Sequence, residues 1–299
     1  MSEKNIFCFV MVAPALVVTL LLGVWPLIRT LTMSFQSYDL LTVQTEGTKW
    51  VGLDNYRSIF SDERFVQTVF QTVIFTVLAI AIVISLGLFL AQVINAQFKG
   101  RAIVRTLIFS PWFVPPVVAS AMWLWLLNAN TSPINFLLLD LGIIERKIRF
   151  MTDSSTWGPF SKPMMSIIAV RVWNGIPFVI IFLLAGLQSI PKSLYEAADM
   201  DGAGLWSKFW YVTLPMLWPV LLVLLALLFM GGFGHFEMNY IMTGGGPRNL
   251  TNVLAVWTYQ EGFQFLRFDK AAAASGIILG MTSIVAVFYL WAQTKEQRR

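Results

Sequence analysis

Long apolar segments alternate with short polar segments along the whole chain. A helix needs roughly 20 apolar residues to cross a hydrocarbon core of about 30 Å, and six segments reach that length. Each is expected to be helical, because a helix satisfies its own backbone hydrogen bonds in lipid. The predicted spans are about 7–28, 68–93, 104–127, 164–186, 214–236 and 272–292. The pattern therefore predicts an all-α fold, with residues 1–299 forming a single polytopic transmembrane domain of six spans.

The first predicted span also has a feature of a secretory signal peptide, since Lys4 precedes its apolar run. The run is longer than the roughly 7–15 apolar residues of a signal peptide. It contains Pro14, continues to Trp25 and Pro26, and lacks a small-x-small cleavage site. We therefore expect it to be retained as a span.

Composition agrees with a membrane protein, since 57% of the 299 residues are hydrophobic and 12% are charged, against about 25% charged in soluble domains. The mean hydropathy is +0.69. One cysteine, Cys8, and one histidine, His235, exclude a disulfide framework and a metal site rich in either residue. No H-E-x-x-H or G-x-S-x-G motif is present, so no catalytic site is expected. The net charge of +5 is attributed to membrane orientation and not to nucleic-acid binding.

Basic residues in the short loops predict the orientation of the spans, because such residues are retained on the cytoplasmic side. The loop 94–106 contains three basic residues and no acidic one. The C-terminal tail contributes Lys295, Arg298 and Arg299. With six spans, both segments lie on the same side, together with the N-terminus and the loop 187–213. These parts are expected in the cytoplasm, and the three longer connections are expected outside.

A short acidic stretch, SLYEAADMDGAG, occupies residues 193–204 between the fourth and fifth predicted spans. Pro191 ends the preceding helix, and Ser193 with Glu196 matches a capping box, so a helix is expected to begin at Ser193. Gly202 lies where a helix end needs a residue that tolerates positive φ. On the residues alone, this loop is either a docking surface or a plain connector.

The residues after this stretch predict how the fifth span begins. The segment LWSKFWYV surrounds Lys208 with aromatic residues, as expected of a helix lying in the headgroup region. Pro215 is then expected in the first turn of the fifth span, where its missing N–H is of no consequence.

Polar residues within or at the ends of the predicted spans are candidates for a substrate pathway, because polar groups at membrane depth line a cavity or find a partner. Gly175 and Pro177 are expected to interrupt the fourth span near Arg171. Alternatively, Arg171 reaches the outer interface or pairs with an acidic residue, and Trp173 anchors the helix at the interface. The candidates are Asn128, Arg171, Trp173, Asn174, His235, Glu237 and Asn239.

An outer loop contains the sequence TGGGPRN, in which Gly244, Gly245 and Gly246 allow a sharp bend and Pro247 fixes the exit direction. No strand is predicted before the glycines, and no Gly-Lys-Ser/Thr follows them. A phosphate-binding loop for ATP is therefore not expected here.

The acidic stretch resembles a known signature. Glu196-Ala197-Ala198, Gly202 four residues later, Val212, and Leu214-Pro215 are similar to EAA-x3-G-x9-I-x-LP, the EAA loop of ABC importer permeases, with Val212 in place of isoleucine. Four longer phrases resemble the carbohydrate-uptake branch, the maltose and glycerol-phosphate type permeases. They are VGLDNYRSIFSD (51–62), RTLIFSPWFVPPVVASAMWLWLLN (105–128), GLQSIPKSLYEAADMDGAG (186–204) and MTGGGPRNLTNVLAVWTYQEGF (242–263).

The resemblance implies a permease subunit that moves a sugar or sugar derivative into the cytoplasm. It implies a coupling loop at about 191–215 that binds the ATP-hydrolysing subunit through Glu196, Ala197, Ala198, Asp199, Gly202, Leu214 and Pro215. It also implies that Gly244, Gly245, Gly246 and Pro247 contact a solute-binding protein. The location implied is the bacterial inner membrane.

No cofactor is expected in this chain, because ATP and Mg would be bound by partner subunits. The expected partners are a second permease of different sequence, two ATP-binding subunits, and a periplasmic or lipid-anchored solute-binding protein. The alternative function is an ion-coupled secondary transporter. Such a protein would need acidic residues within its spans, whereas the carboxylates here fall in loops or at span ends.

Overall fold

A computed structural model describes residues 3–41 and 43–297. The predicted all-α fold is confirmed. The elements are α1 Glu3–Thr19, α2 Trp25–Met33, β1 Gln36–Ser37, α3 Val43–Glu46, β2 Lys49–Trp50, α4 Asp54–Phe60, α5 Glu63–Asn95, α6 Arg101–Phe109, α7 Pro116–Leu126, α8 Pro133–Asp140, β3 Thr156–Trp157, β4 Phe160–Ser161, α9 Lys162–Ser189, α10 Lys192–Met200, α11 Leu205–Lys208, α12 Leu214–Phe233, α13 Glu237–Thr243, α14 Leu254–Tyr259 and α15 Phe268–Gln297. Arg298 and Arg299, which entered the orientation argument, lie outside the described residues.

Five helices among the described residues are long and apolar enough to cross a membrane. They are Phe7–Met33, Glu63–Asn95, Lys162–Ser189, Leu205–Phe233 and Phe268–Lys295. A sixth candidate consists of two pieces, Arg101–Phe113 and Pro116–Leu126. The chain therefore has up to six spans.

The chain divides into two compact units. The first comprises the chain up to Val66 together with Trp257–Gly280. In it, β1 pairs antiparallel with β2, and the buried Asn55 amide donates to the Ser34 and Gln36 carbonyl oxygens at 2.9 Å each. These bonds attach α4 to the chain that leaves α2.

The second unit comprises Gln67–Val256 and the chain from Met281 onward, and α9 carries much of its core. Ile167, Val179 and Leu183 on this helix are fully buried. Gly186 allows α12 to approach α9 closely, because a Cβ on Gly186 would lie 2.7 Å from Leu217 Cδ2. Small residues at such contacts are typical of helix packing in membranes. At the start of α9, the Ser161 side chain caps the helix by accepting a hydrogen bond from the Met164 N–H at 3.3 Å.

The third predicted span is not straight, since its two pieces are bent by 100° relative to each other. A short 3-10 segment, Ser110–Phe113, ends the first piece, and Pro115 and Pro116 begin the second. Two consecutive prolines remove two backbone donors and exclude a continuous helix, which explains the break.

The expected interruption of the fourth span at Gly175 and Pro177 is wrong, because α9 continues through both residues. A single proline removes one backbone hydrogen bond, and Pro177 is buried within the helix bundle. Its neighbours therefore hold the helix in one piece. The broken helix is the third span and not the fourth.

The fifth helix begins earlier than predicted, at Leu205, and it is continuous to Phe233. Residues 205–213 therefore continue directly into α12. Pro215 lies in the first turn of α12 as predicted, but α12 is not the start of the continuous helix. A π-helical segment, Phe209–Thr213, joins α11 to α12, and the Leu214 N–H bonds to the Phe209 carbonyl oxygen. This wider turn lies directly before Pro215, which has no N–H to donate, and it carries the helix across that position.

Candidate functional site

The acidic stretch forms a short helix, α10, that begins at Lys192. The predicted capping box is wrong, because Pro191 occupies the N-cap position with φ −60° and ψ 133° and no side chain caps the helix. The Pro191 carbonyl oxygen instead accepts from the Leu194 N–H at 3.2 Å. Ser193 lies within the first turn, too late to act as a cap, and Glu196 is exposed.

Gly202 ends α10 as predicted, with φ at +75°. Its N–H bonds to the Asp199 carbonyl oxygen at 3.0 Å, and the Ala203 N–H bonds to the Ala198 carbonyl oxygen at 2.9 Å. This pair of bonds is a Schellman motif, whose left-handed position favours glycine. The helix end is therefore fixed by backbone bonds that depend on one residue.

Two side-chain contacts attach α10 to the start of the fifth helix. The Tyr195 hydroxyl and the Thr213 hydroxyl are 3.0 Å apart, and Lys208 forms an ion pair with Asp199. Tyr195 also packs against the hydrophobic core. The short helix is therefore held to the helix that follows it.

The remaining residues of α10 form an outward surface. Glu196 and Ala197 are exposed, Ala198 is half-buried, and Met200 is 89% exposed. Of the last two predicted coupling residues, Leu214 is half-buried and Pro215 is exposed. The arrangement presents a small helix with little bulk at its centre, which a cleft on another protein could accommodate.

Asn174 stabilises the bend in the third span. Its side-chain amide donates to the Pro111 carbonyl oxygen at 3.1 Å and to the Val114 carbonyl oxygen at 3.4 Å. The Pro111 carbonyl oxygen accepts a 3-10 type hydrogen bond from the Val114 N–H at 3.2 Å, but it has no α-helical donor, because the residue four positions later is Pro115. Asn174 thus supplies a donor to the backbone at the break, from another helix.

A cavity of about 390 Å³ lies beside this bend, and it contains two of the predicted pathway residues, Arg171 and Asn174. We call it the Arg171 cavity. Its other lining residues are Phe75, Thr76, Ala79, Ile80, Val83, Trp112, Val172, Gly175, Phe178, Leu227, Leu228 and Gly232. A volume of this size lies within the range of small-molecule sites, about 300–1,000 Å³.

Trp173 does not line this cavity. It lies on another face of α9, with its ring 5.5 Å from that of Trp123 in an edge-on contact. His235, Glu237 and Asn239 do not line the cavity either, although His235 and Glu237 are near enough to Arg171 to interact with it electrostatically. His235 is buried beside the Phe75 ring, Glu237 is exposed in the first turn of α13, and Asn239 is buried.

Asn239 and the glycine loop belong to one hydrogen-bonded structure. The Asn239 side-chain amide donates to the Thr251 carbonyl oxygen at 3.3 Å, and the Thr251 hydroxyl donates to the Gly246 carbonyl oxygen at 2.7 Å. Gly244 ends α13 at φ +60°, and Gly245 is buried against Asn252. The predicted sharp bend is present. Of the four predicted contact residues Gly244 is exposed, Gly245 is buried, and Gly246 and Pro247 are half-buried.

A second cavity, of about 640 Å³, adjoins this loop. Asn128 lines it together with Gly246 and Pro247, so the structure brings these predicted residues together. Arg149 and Thr152 add polar groups. No cluster of three or more His, Cys, Asp or Glu side chains suited to a metal ion occurs within residues 3–41 and 43–297.

Sequence reasoning missed Thr76 and Trp112 in the Arg171 cavity. A signal for Thr76 was present, because four polar residues recur at helical spacing along the apolar helix α5. They are Thr68, Gln71, Thr72 and Thr76, and all are buried. The Thr72 hydroxyl accepts a hydrogen bond from the Leu254 N–H at 2.8 Å, so part of this stripe is structural.

The long apolar helices define a polytopic membrane protein. Residues 83–299 match the family described as "binding-protein-dependent transport system inner membrane component", and the chain belongs to this family. It is therefore a multi-pass membrane protein and the permease component of an ABC importer that works with a binding protein. Family membership favours this class over the ion-coupled alternative.

Individual relatives and one solved structure match nearly the whole chain. The sn-glycerol-3-phosphate transport system permease protein UgpA of Agrobacterium fabrum is 31% identical over 95% of this chain and 94% of the relative. The sulfoquinovosyl glycerol transport system permease protein SmoG of the same organism is 32% identical over 96% and 90%. A chain of a bacterial ABC transporter involved in the import of the acidic polysaccharide alginate has a TM-score of 0.79 and 25% identity, over 99% and 96%.

Proposed function

We propose that this chain forms half of the transmembrane pathway of an importer for a sugar or sugar derivative, with ATP hydrolysed on separate subunits. The relatives support the cargo class, because their names specify sn-glycerol-3-phosphate, sulfoquinovosyl glycerol and alginate. The observation that carries the coupling role is α10, an exposed helix attached to the start of the fifth helix.

In the proposed mechanism, motion is transmitted through the contacts that attach α10 to the start of the fifth helix. When the ATP-binding subunits change conformation, the outward surface of α10 moves with them. The Tyr195–Thr213 bond and the Asp199–Lys208 ion pair then pass that motion to the helix Leu205–Phe233. This helix packs on α9 at Gly186, so the displacement reaches the wall of the Arg171 cavity.

The proposed assembly contains two permease subunits of different sequence, two ATP-binding subunits and one solute-binding protein. ATP and Mg would be bound by the ATP-binding subunits and not by this chain. Both termini and α10 would face the cytoplasm, and the glycine loop would face the solute-binding protein. The basic residues of the loop 94–106 support this orientation.

Reconstitution in liposomes tests the proposed function. The permease pair with its ATPase and binding protein should accumulate sugar when ATP is supplied on the cytoplasmic side. A proton or sodium gradient without ATP should produce no accumulation. Uptake driven by an ion gradient alone, by this chain without an ATPase, would contradict the proposal and favour a secondary transporter.

A further inference from the structure

The Arg171 cavity places a cation among apolar side chains. Arg171 lies near the middle of α9, and most of its neighbours around the cavity are aliphatic or aromatic. A guanidinium at membrane depth is costly to bury and normally has an anionic partner or faces a water-filled cavity. The question is therefore which group Arg171 pairs with.

The described part of the chain supplies no ion-pair partner. Among residues 3–41 and 43–297, no carboxylate lies within 4.0 Å of the Arg171 guanidinium. Glu237 attracts Arg171 electrostatically from a greater distance, but its carboxylate is exposed. The buried His235 lies near enough to interact with Arg171 and contributes no negative charge. The guanidinium therefore retains its donors for a ligand in the cavity.

The other polar groups of the cavity complement such a ligand. Asn174 uses its amide to hold the bend, so it is already occupied. Thr76 is buried, and its hydroxyl forms no hydrogen bond within the described chain. Trp112 is 52% exposed and offers an indole face, on which the C–H face of a sugar ring can stack.

We propose that the Arg171 cavity is a subsite for an anionic sugar derivative, in which Arg171 pairs with a carboxylate, phosphate or sulfonate group of the cargo. A planar guanidinium can bind such oxyanions through two parallel hydrogen bonds. Trp112 then contacts the uncharged part of the cargo, and the buried Thr76 side chain forms part of the cavity wall. This inference rests on the proposed importer function and adds the charge of the substrate.

The test uses the complete importer in liposomes with three radiolabelled probes, each measured as ATP-dependent uptake. Glycerol 3-phosphate and an alginate disaccharide are anionic, and maltose is neutral. Arg171→Met removes the charge, and Arg171→Lys retains it without the two-pronged geometry. Arg146→Met is the matched control, because Arg146 is exposed and lies outside the cavity. Membrane level and ATPase co-purification report whether each variant is assembled.

We expect the wild type to transport at least one anionic probe and to exclude maltose. Arg171→Met should reduce that uptake about tenfold or more, since a hydrogen bond to a charged group contributes roughly 1.5–3 kcal/mol. Arg171→Lys should give an intermediate loss, and Arg146→Met should match the wild type. Equal transport of maltose by the wild type, or full uptake of the anionic probe by Arg171→Met, would overturn the inference while the importer function stands. Failure of the assembled wild type to transport any probe would count against the proposed function on which the inference rests.

Discussion

At the scale of single residues, the structure gives some candidate side chains a different role from the one that the sequence predicts. Asn174 was predicted to contact substrate, yet its donors satisfy the backbone at the bend of the third span. That role was not predictable from the sequence, because Asn174 and Pro111 are 63 positions apart. Gly202 was predictable, since a left-handed helix end is a local property.

The first prediction concerns Asn174→Ala. Loss of both donors should lower the melting temperature of the detergent-solubilised permease by about 2–4 °C, because a net hydrogen bond contributes roughly 0.5–1.5 kcal/mol. Transport should fall as well, since the bend borders the cavity. Asn130→Ala is the control, because its side chain is exposed. A variant at position 174 that melts and transports like the wild type would show that the bend needs no such support.

The second prediction compares Gly202→Val with Gly204→Val. Neither glycine has an atom within 4 Å of its would-be Cβ, but φ is +75° at Gly202 and −71° at Gly204. Valine at 202 is therefore strained by roughly 1–3 kcal/mol or more, whereas at 204 the backbone is extended. We expect normal membrane levels for both, with loss of uptake and of ATPase co-purification for Gly202→Val alone. Equal behaviour of the two variants would mean that the end of α10 is unimportant for coupling.

At the scale of the elements, apolar length predicted the helices well, while their continuity depended on neighbours. Prolines occur in both the third and the fourth predicted spans, and only the third is broken. The two consecutive prolines of the third span interrupt the helix, because two backbone donors are missing. Pro177 removes only one donor and is buried within the bundle, and α9 continues through it. The attachment of α10 to the fifth helix likewise joins residues that no local pattern connects.

The third prediction addresses this attachment through Tyr195→Phe. Removing the hydroxyl abolishes the bond to Thr213 and leaves the ring in the core. We expect the ATPase to remain bound, with fewer sugar molecules imported for each ATP hydrolysed. Tyr211→Phe serves as the control, because Tyr211 is 81% exposed. An unchanged ratio of uptake to ATP hydrolysis in Tyr195→Phe would exclude this bond from the transmission of motion.

At the scale of the whole molecule, the class of protein was predictable from the sequence, and the proposed substrate subsite was not. Apolar runs and the EAA-type loop are local signals, and the family match over residues 83–299 agrees with them. The Arg171 cavity joins residues of α5, α9 and α12 with Trp112, and only folding brings them together. Thr76 and Trp112 were therefore missed, although Arg171 and Asn174 were found.

The fourth prediction concerns topology, for which the chain is convenient because Cys8 is its only cysteine. In a Cys8→Ser background, Lys192→Cys and Arg248→Cys place thiols at exposed positions of α10 and of the glycine loop. A membrane-impermeant maleimide should label Arg248→Cys in intact spheroplasts and Lys192→Cys only after permeabilisation. Labelling of Lys192→Cys in intact spheroplasts would contradict the proposed orientation and place α10 outside the cytoplasm.

The π-helical segment Phe209–Thr213 has a consequence for how much the length of this region can vary. A π-turn contains one residue more than the corresponding α-turn, and it usually occurs as a local bulge within an α-helix. Deleting one residue from this segment would return it to α-helical geometry and leave the flanking helices facing as before. Deleting one residue from α12 would instead rotate everything beyond that point by about 100°, since an α-helix has about 3.6 residues per turn. Loss of one residue is thus tolerable at Phe209–Thr213 and disruptive within α12, a single turn further along.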